Sequence, residues 1–186
     1  LMIPPEGETA ESLIVEMKKR QLTVDLEDRK FIRVEGINTI GGSANLKNSE
    51  MCILNRMNMK YISHFTWCDD WREGYISGYS PDNVKAGKST LINGEVGIHI
   101  GGRDNKIMNS VIDHSAGAGV ISTGLYGYIE NNIVSNCGYM GNYVSGITLY
   151  REGSTPPESL CGGDAVFNNT VYNCGRNCFV VQSPEG

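Results

Sequence analysis

With 186 residues, a formal net charge of −5 and an isoelectric point near 5.2, the chain has the length of one domain and an acidic balance. That balance argues against nucleic acid and anionic membranes as partners, and no apolar run is long enough for a transmembrane helix. Its 23 glycines favour frequent turns over long helices, since each glycine costs about 1 kcal/mol inside a helix.

Residues 9–20 read two ways. Leu13, Ile14 and Met17 could share one side of a capping helix, whereas Ile14–Lys18 alternates as a strand and leads into Leu22-Thr23-Val24-Asp25-Leu26. The strand reading is preferred, which makes residues 1–26 an opening coil or cap. Lys30–Ile37 and Met51–Asn58 follow with one shared pattern, and Val34 and Asn55 are placed in the same slot.

That pattern sharpens downstream. Lys106–Ile112, Tyr128–Val134 and Ala165–Val171 each carry an apolar residue, an arbitrary one, an Asn, a small or polar residue and two β-formers. The first two asparagines, Asn109 and Asn131, are 22 residues apart, and Asn168 follows 37 later. Gly97–Ile100, Gly119–Ser122 and Gly146–Leu149 form a second ladder, with Cys178–Val181 as a fourth rung. A fixed motif at about 22 residues with variable spacing is one coil shape with insertions at its turns. Three short strands and tight turns fit that length, and stacked side-chain amides would satisfy one another in a column at the Asn slot. The expected fold is all-β: a right-handed, single-stranded parallel β-helix forming one domain over residues 1–186. Because the chain opens at Leu1 and stops at Gly186 just after a strand, it reads as a fragment of a longer one. Its open ends would then meet the remainder of that chain or another copy.

Six cysteines invite a disulfide or metal reading. Cys137 and Cys174 hold one coil position, with Ser115 equivalent, so a packing ladder is expected, and a bridge between coils is the alternative. Cys174 and Cys178 have no second pair at zinc spacing, and Cys52 and Cys68 read as free thiols. The sequon Asn168-Asn169-Thr170 places its Asn in the expected buried ladder and so reads as unmodified, which suggests a bacterial or archaeal source.

Breaks in the register locate the candidate surface. Inserted loops occupy residues 66–95 and 151–163, with a shorter excess at 138–143, all at turns beside the Gly-Ile-x-Ile strand. Asp69 and Asp70 lie between Trp67 and Trp71, a setting that suits sugar binding, acid/base work or Ca²⁺. On the strand face Ile98 and Ile100 point inward and His99 outward, in line with Ile121, Thr148 and Val180. Arg103 and Asp104, then Arg151 and Glu152, follow that strand on separate coils, and Asp104-Asn105 is also an ordinary turn pair. Asp113 and His114 align with Ser135-Asn136 and Tyr172-Asn173, which gives His114 a hydrogen-bonded turn role as its alternative.

The asparagine-rung coils, with Gly-x-Asp-Asn-x-Ile-x-Asn-Ser-x-Ile from Gly102 to Ile112, resemble the pectin-lyase-like β-helix superfamily. The closer likeness is to bacterial right-handed parallel β-helix repeat proteins among the carbohydrate-active enzymes, over roughly residues 20–186. The resemblance implies attack on a polysaccharide, by hydrolysis with paired carboxylates or by elimination with a Lys or Arg base and Ca²⁺. No polygalacturonase or lyase residue set is present, so catalytic residues are not carried over by motif. Local chemistry favours a glycoside hydrolase with Asp69, Asp70, Asp113 and His114 as catalytic candidates. Trp67, Trp71, His99, Arg103, Tyr126, Tyr150, Arg151 and Glu152 are the substrate-binding candidates, with no protein metal site. Alternatives are a lyase, in which Arg103, Arg151 or Lys88 would face the groove, and a non-catalytic carbohydrate-binding β-helix. The expected partner is a polysaccharide or oligosaccharide, met outside the cell or at its surface.

Overall fold

The computed structural model describes residues 6–7, 9, 12, 22–63, 96–139, 145–150, 163–175 and 177–182. Short strands follow one another around successive coils. The first coil holds β1 (Leu22–Asp25), β2 (Arg33–Glu35) and β3 (Asn38–Ile40), and the second β4 (Ser43–Leu46), β5 (Ile53–Asn55) and β6 (Asn58–Ser63). The third holds β7 (Ile98–Ile100), β8 (Lys106–Met108) and β9 (Val111–Ser115), and the fourth β10 (Val120–Ser122), β11 (Tyr128–Glu130) and β12 (Ile133–Cys137). β13 (Ser145–Tyr150), β14 (Ala165–Phe167) and β15 (Thr170–Tyr172) make the fifth, and β16 (Asn177–Gln182) begins a sixth.

Every third strand pairs in parallel, giving three sheets: β1-β4-β7-β10-β13-β16, then β2-β5-β8-β11-β14, then β3-β6-β9-β12-β15. The described chain is an all-β parallel solenoid, as the repeat predicts. Side chains alternate, so each sheet sends one column inward. Ile98, Val120 and Ile147 stack in the first sheet, Leu54, Ile107 and Ile129 in the second, and Met59, Ile112 and Val134 in the third. All nine are buried in one apolar core.

Single residues in the left-handed backbone region make the corners. Between the second and third sheets these are Gly36, Arg56, Asn109, Asn131 and Asn168, with φ from 53° to 70°. Asparagine recurs there because it tolerates this conformation at low steric cost.

The expected amide-to-amide link forms between Asn131 and Asn109, but the expected burial of that column is corrected. Asn109, Asn131 and Asn168 are exposed; their amides link outward, Asn131 to Asn109 at 2.7 Å, Asn109 to Asn55 at 2.7 Å and Asn55 to Glu35 at 3.0 Å. The inward column lies one residue on, at Ser110, Asn132 and Asn169, the first two buried and the third partly so. Asn132 Nδ2 donates to Ile107 O at 3.0 Å, and its Oδ1 accepts from Ser110 N at 3.0 Å. Asn169 Oδ1 in turn accepts from Asn132 N at 2.9 Å. Two further placements move by the same logic. Val34 pairs with Leu54 and Asn55 with Met108, so Val34 and Asn55 do not share a slot. The exposure of Asn168 also removes burial as a reason for the sequon to go unmodified.

Candidate functional site

Asp69, Asp70, Trp67, Trp71, Arg151 and Glu152 lie outside the described residues, as do Lys88, Cys68 and most of the inserted loops. Tyr150 closes β13, where its backbone pairs with Gln182. The remaining candidates fall at three places on the solenoid.

The corner between the first and second sheets brings two of them together. Lys30, Glu50, Arg103 and Leu125 are bridged in register, so the next residues, Phe31, Met51, Asp104 and Tyr126, form a column. All four have positive φ, 58°, 52°, 56° and 56°, and Gly163 continues the column at 73°. A bulky side chain costs about 1–2 kcal/mol in that backbone region, yet Phe31 is 71% exposed, Met51 47% and Tyr126 44%. The Arg103 guanidinium sits 4.9 Å from the Tyr126 ring centre and 3.3 Å from Asp104. A Cβ on Gly163 would lie 2.4 Å from Tyr126 Cδ1, so only glycine lets the ring lie across that backbone. Beside this column Lys106 covers the Tyr128 ring at 4.6 Å. Phe31 and Met51 in the column, and Tyr128 beside it, were missed by sequence reasoning. The signal for Phe31 and Met51 was the position two residues before each second-sheet strand, where a bulky residue replaces Gly or Asp.

Asp113 and His114 lie in β9, and His114 faces a groove of about 400 Å³ that Asn136, Tyr139, Asn173, Cys137 and Cys174 also line. His114, Asn136 and Asn173 share the left-handed corner conformation, which agrees with a turn role for His114. The Asp113 carboxylate accepts from Ser135 Oγ at 2.8 Å and Asn136 Nδ2 at 2.7 Å. His114 Nδ1 is 2.9 Å from Oδ2 but poorly aligned for a hydrogen bond, and its ring tilts against Tyr61 at 4.7 Å. Burial pushes the Asp113 carboxyl upward, but donation from Asn136 and Ser135, with His114 adjacent, outweighs it and leaves the group below its ordinary value. A carboxylate held ionised in this way suits a base or an electrostatic role rather than proton donation.

On the outer face of the first sheet, Asp25, Asn45 and His99 are in register. Ile98 and Ile100 are buried and His99 is outward, as alternation requires, while Ile121 and Thr148 on the same face are closed to solvent. His99 Nε2 lies 2.8 Å from Thr123 Oγ1, and burial with nearby Lys47 brings its pKa down to about 4. Asn45 Nδ2 reaches both Asp25 Oδ1 at 3.2 Å and Glu27 Oε2 at 3.0 Å. Two oxygens sharing one nitrogen stand at most about 6 Å apart, so Asp25 and Glu27 are a carboxylate pair. Sequence reasoning passed over both, although Asp25 falls on the outward phase of β1.

Among the described residues no group of three or more His, Cys, Asp or Glu side chains is arranged to hold a metal ion. No family model, curated protein or solved structure matches the chain.

Proposed function

We propose that this chain is a polysaccharide-binding β-helix that lays its ligand along the corner column of Phe31, Met51, Asp104 and Tyr126. The observation that carries the reading is the Tyr126 ring, held between Arg103 and the backbone of Gly163 while 44% of the residue stays open to solvent. Exposed aromatic faces suit the apolar faces of sugar rings, and Arg103 and Asp104 supply donors and acceptors for hydroxyl groups. Coils repeat about every 4.8 Å, so contacts recur along an extended chain. Backbone strain kept under exposed apolar side chains is the kind of outlier that points to use. The coil is read as right-handed because parallel crossover connections are so in about 98% of cases. With the Gly102–Ile112 pattern, this supports placement near the pectin-lyase-like superfamily.

A hydrolytic reading has its own observation, the Asp25–Glu27 pair bound to one Asn45 amide. Carboxyl groups about 5–5.5 Å apart serve retaining glycosidases. Asp113 lies on the third sheet, apart from that pair, and with Asp69 and Asp70 stays a separate carboxylate candidate.

Affinity electrophoresis through gels loaded with a panel of neutral and acidic polysaccharides tests the binding reading. The wild-type chain should be retarded by at least one polymer, and Tyr126→Ala or Arg103→Ala should weaken retardation about fivefold. Retardation by none, or variants that migrate as wild type, would remove the proposal. Reducing-sugar release from the same panel, lost in Asp25→Asn and Glu27→Gln, would add hydrolysis to it.

A further inference from the structure

Three thiols converge at the end of the groove that His114 lines. Ser115 and Cys137 pair in register at the close of the third sheet, and Cys174 follows on the next coil, where Gly175 N donates to Cys137 O at 2.8 Å. The two cysteines pack against Gly119 and Gly146, which stand just before the inward Val120 and Ile147 of the first sheet. A Cβ on Gly119 would lie 2.8 Å from Cys137 Sγ, and one on Gly146 would lie 2.8 Å from Cys174 Sγ. The glycines leave room that the sulfurs fill. On β16, whose Phe179 pairs with Ile147, the same position is Cys178, which does carry a Cβ and reaches the Cys174 thiol.

The three sulfurs differ in setting. Cys137 is fully buried, Cys174 half-buried at the groove and Cys178 exposed, and all are free thiols. Cys137 Sγ lies 3.1 Å from Ser135 O, and its single proton can serve that carbonyl or the Cys174 sulfur. When Cys174 ionises, the proton turns to it. In the neutral state the Cys174 thiol donates to Tyr172 O at 3.4 Å. The adjacent Cys137 thiol, with Cys178 and nearby backbone N–H groups, favours the thiolate over the opposing effect of burial and lowers the Cys174 thiol to about 6. The bond between the two thiols and its own burial push Cys137 upward, which keeps it a donor.

We propose that Cys174 is a reactive thiol that exchanges with low-molecular-weight disulfides, with Cys178 as the resolving thiol and Cys137 as the hydrogen-bond donor that stabilises the thiolate. In the first step the Cys174 thiolate attacks a small disulfide RS–SR, forming Cys174–S–SR and releasing RS⁻. In the second, Cys178 loses its proton and attacks the Cys174 sulfur, releasing the other RS⁻ and closing a Cys174–Cys178 bond. The protein loses two electrons and two protons, and the small disulfide becomes two thiols. The groove admits the reagent to Cys174, while burial shields Cys137 from it.

The test uses the reduced 186-residue chain and glutathione disulfide, read by intact mass and peptide mapping. Wild type should end with a Cys174–Cys178 bond, Cys178→Ser should stop at one glutathione on Cys174, and Cys174→Ser should take up none at this cluster. Serine is a suitable replacement in the column because Ser115 already occupies it. Alkylation of Cys174 should be half-maximal near pH 6, and at that pH about tenfold faster than a peptide thiol. Cys137→Ser should leave Cys174 in place but change that midpoint. Equal labelling of all thiols, a bond between any other pair, or a Cys174 midpoint in the ordinary thiol range would overturn the assignment.

Discussion

Asp164 stands on the fifth coil where Asn105 stands on the third, each immediately before the second-sheet strand of its coil. Asn105 Oδ1 accepts from Cys52 N at 2.8 Å, and Asp164 Oδ1 accepts from Gly127 N at 2.6 Å. The second atom differs. Asn105 Nδ2 donates to the carbonyls of Ser49 and Gly101, whereas Asp164 Oδ2 can only accept, and does so from Ser122 Oγ at 2.8 Å. Burial raises the Asp164 carboxyl above its ordinary value despite those two donors.

A stability slope follows from that exchange. A carboxyl raised in the folded state holds its proton to higher pH than in the unfolded chain, so stability falls as pH rises from the unfolded value through the folded one. Asp164→Asn restores the donor and removes the titration. Thermal melts between pH 3 and 8 should show the variant more stable by about 1 kcal/mol at neutral pH, with the gain shrinking in acid. A variant less stable than wild type at pH 7 would contradict the equivalence.

The Asn131-Asn132 dipeptide separates a corner residue from a ladder residue. Asn131 is exposed at φ 54°, so Asn131→Gly should shift stability by less than about 1 kcal/mol. Asn132→Leu leaves Ser110 N without its partner, at about 1–3 kcal/mol for that buried group, and takes one donor from Ile107 O. Urea melts should therefore show Asn132→Leu as the more damaging of the two, by about 1 kcal/mol or more. Equal losses would return the structural role to the first asparagine.

The repeat was legible because coil stacking copies chemistry from rung to rung. Ile107, Ile129 and Val166 announce one column, and Ser115, Cys137 and Cys174 another. What was not legible was phase at a corner. One left-handed residue separates two strands, and in Asn-Asn either member could be that residue by composition alone. Asn109 and Asn55 meet across 54 positions, a separation that the motif of about 22 residues does not encode. The site was partly visible for a related reason: Arg103 and Tyr126 were nameable as residue types, but their meeting depends on the bridge between Arg103 and Leu125.

Strain beneath the corner column should trade stability against binding. Asn occupies the left-handed region more readily than Phe, and Phe31 is mostly exposed, so little packing is lost on replacement. Phe31→Asn should raise stability by about 0.5–1 kcal/mol while weakening retention by the polysaccharide that the wild type binds. Calorimetry and affinity electrophoresis on one preparation read both quantities. A destabilised variant with unchanged binding would place Phe31 in the architecture instead.

Asp113 should impose the opposite pH slope to Asp164. Its folded value lies below the unfolded one, so the stabilisation is present above the unfolded value and lost as pH falls through the folded one. Asp113→Asn keeps the shape but replaces the acceptor that Ser135 and Asn136 share. It should flatten the acid limb of the stability profile, and a double variant with Asp164→Asn should flatten both limbs where each single variant flattens one. Because the two carboxyls share no hydrogen-bond partner, their effects should add within about 0.5 kcal/mol.

His99 titrates in a third window. Burial, and secondarily Lys47, lowers its pKa from 6.5 to about 4, so the folded state holds the ring neutral while the unfolded chain takes up a proton below pH 6.5. Stability from this site is complete above pH 6.5 and falls progressively as pH drops from there towards 4, below which both states are protonated and the slope ends. Screening at the partly open ring brings the roughly 3–4 kcal/mol that this shift corresponds to down to about 2–3 kcal/mol. His99→Gln keeps a polar partner for Thr123 and has no proton to take up in this range. Wild type should lose stability between pH 6.5 and 4.5 relative to the variant, while the two run parallel above pH 7. A wild-type curve parallel to the variant throughout would mean that the ring is solvated and free to charge in the folded protein.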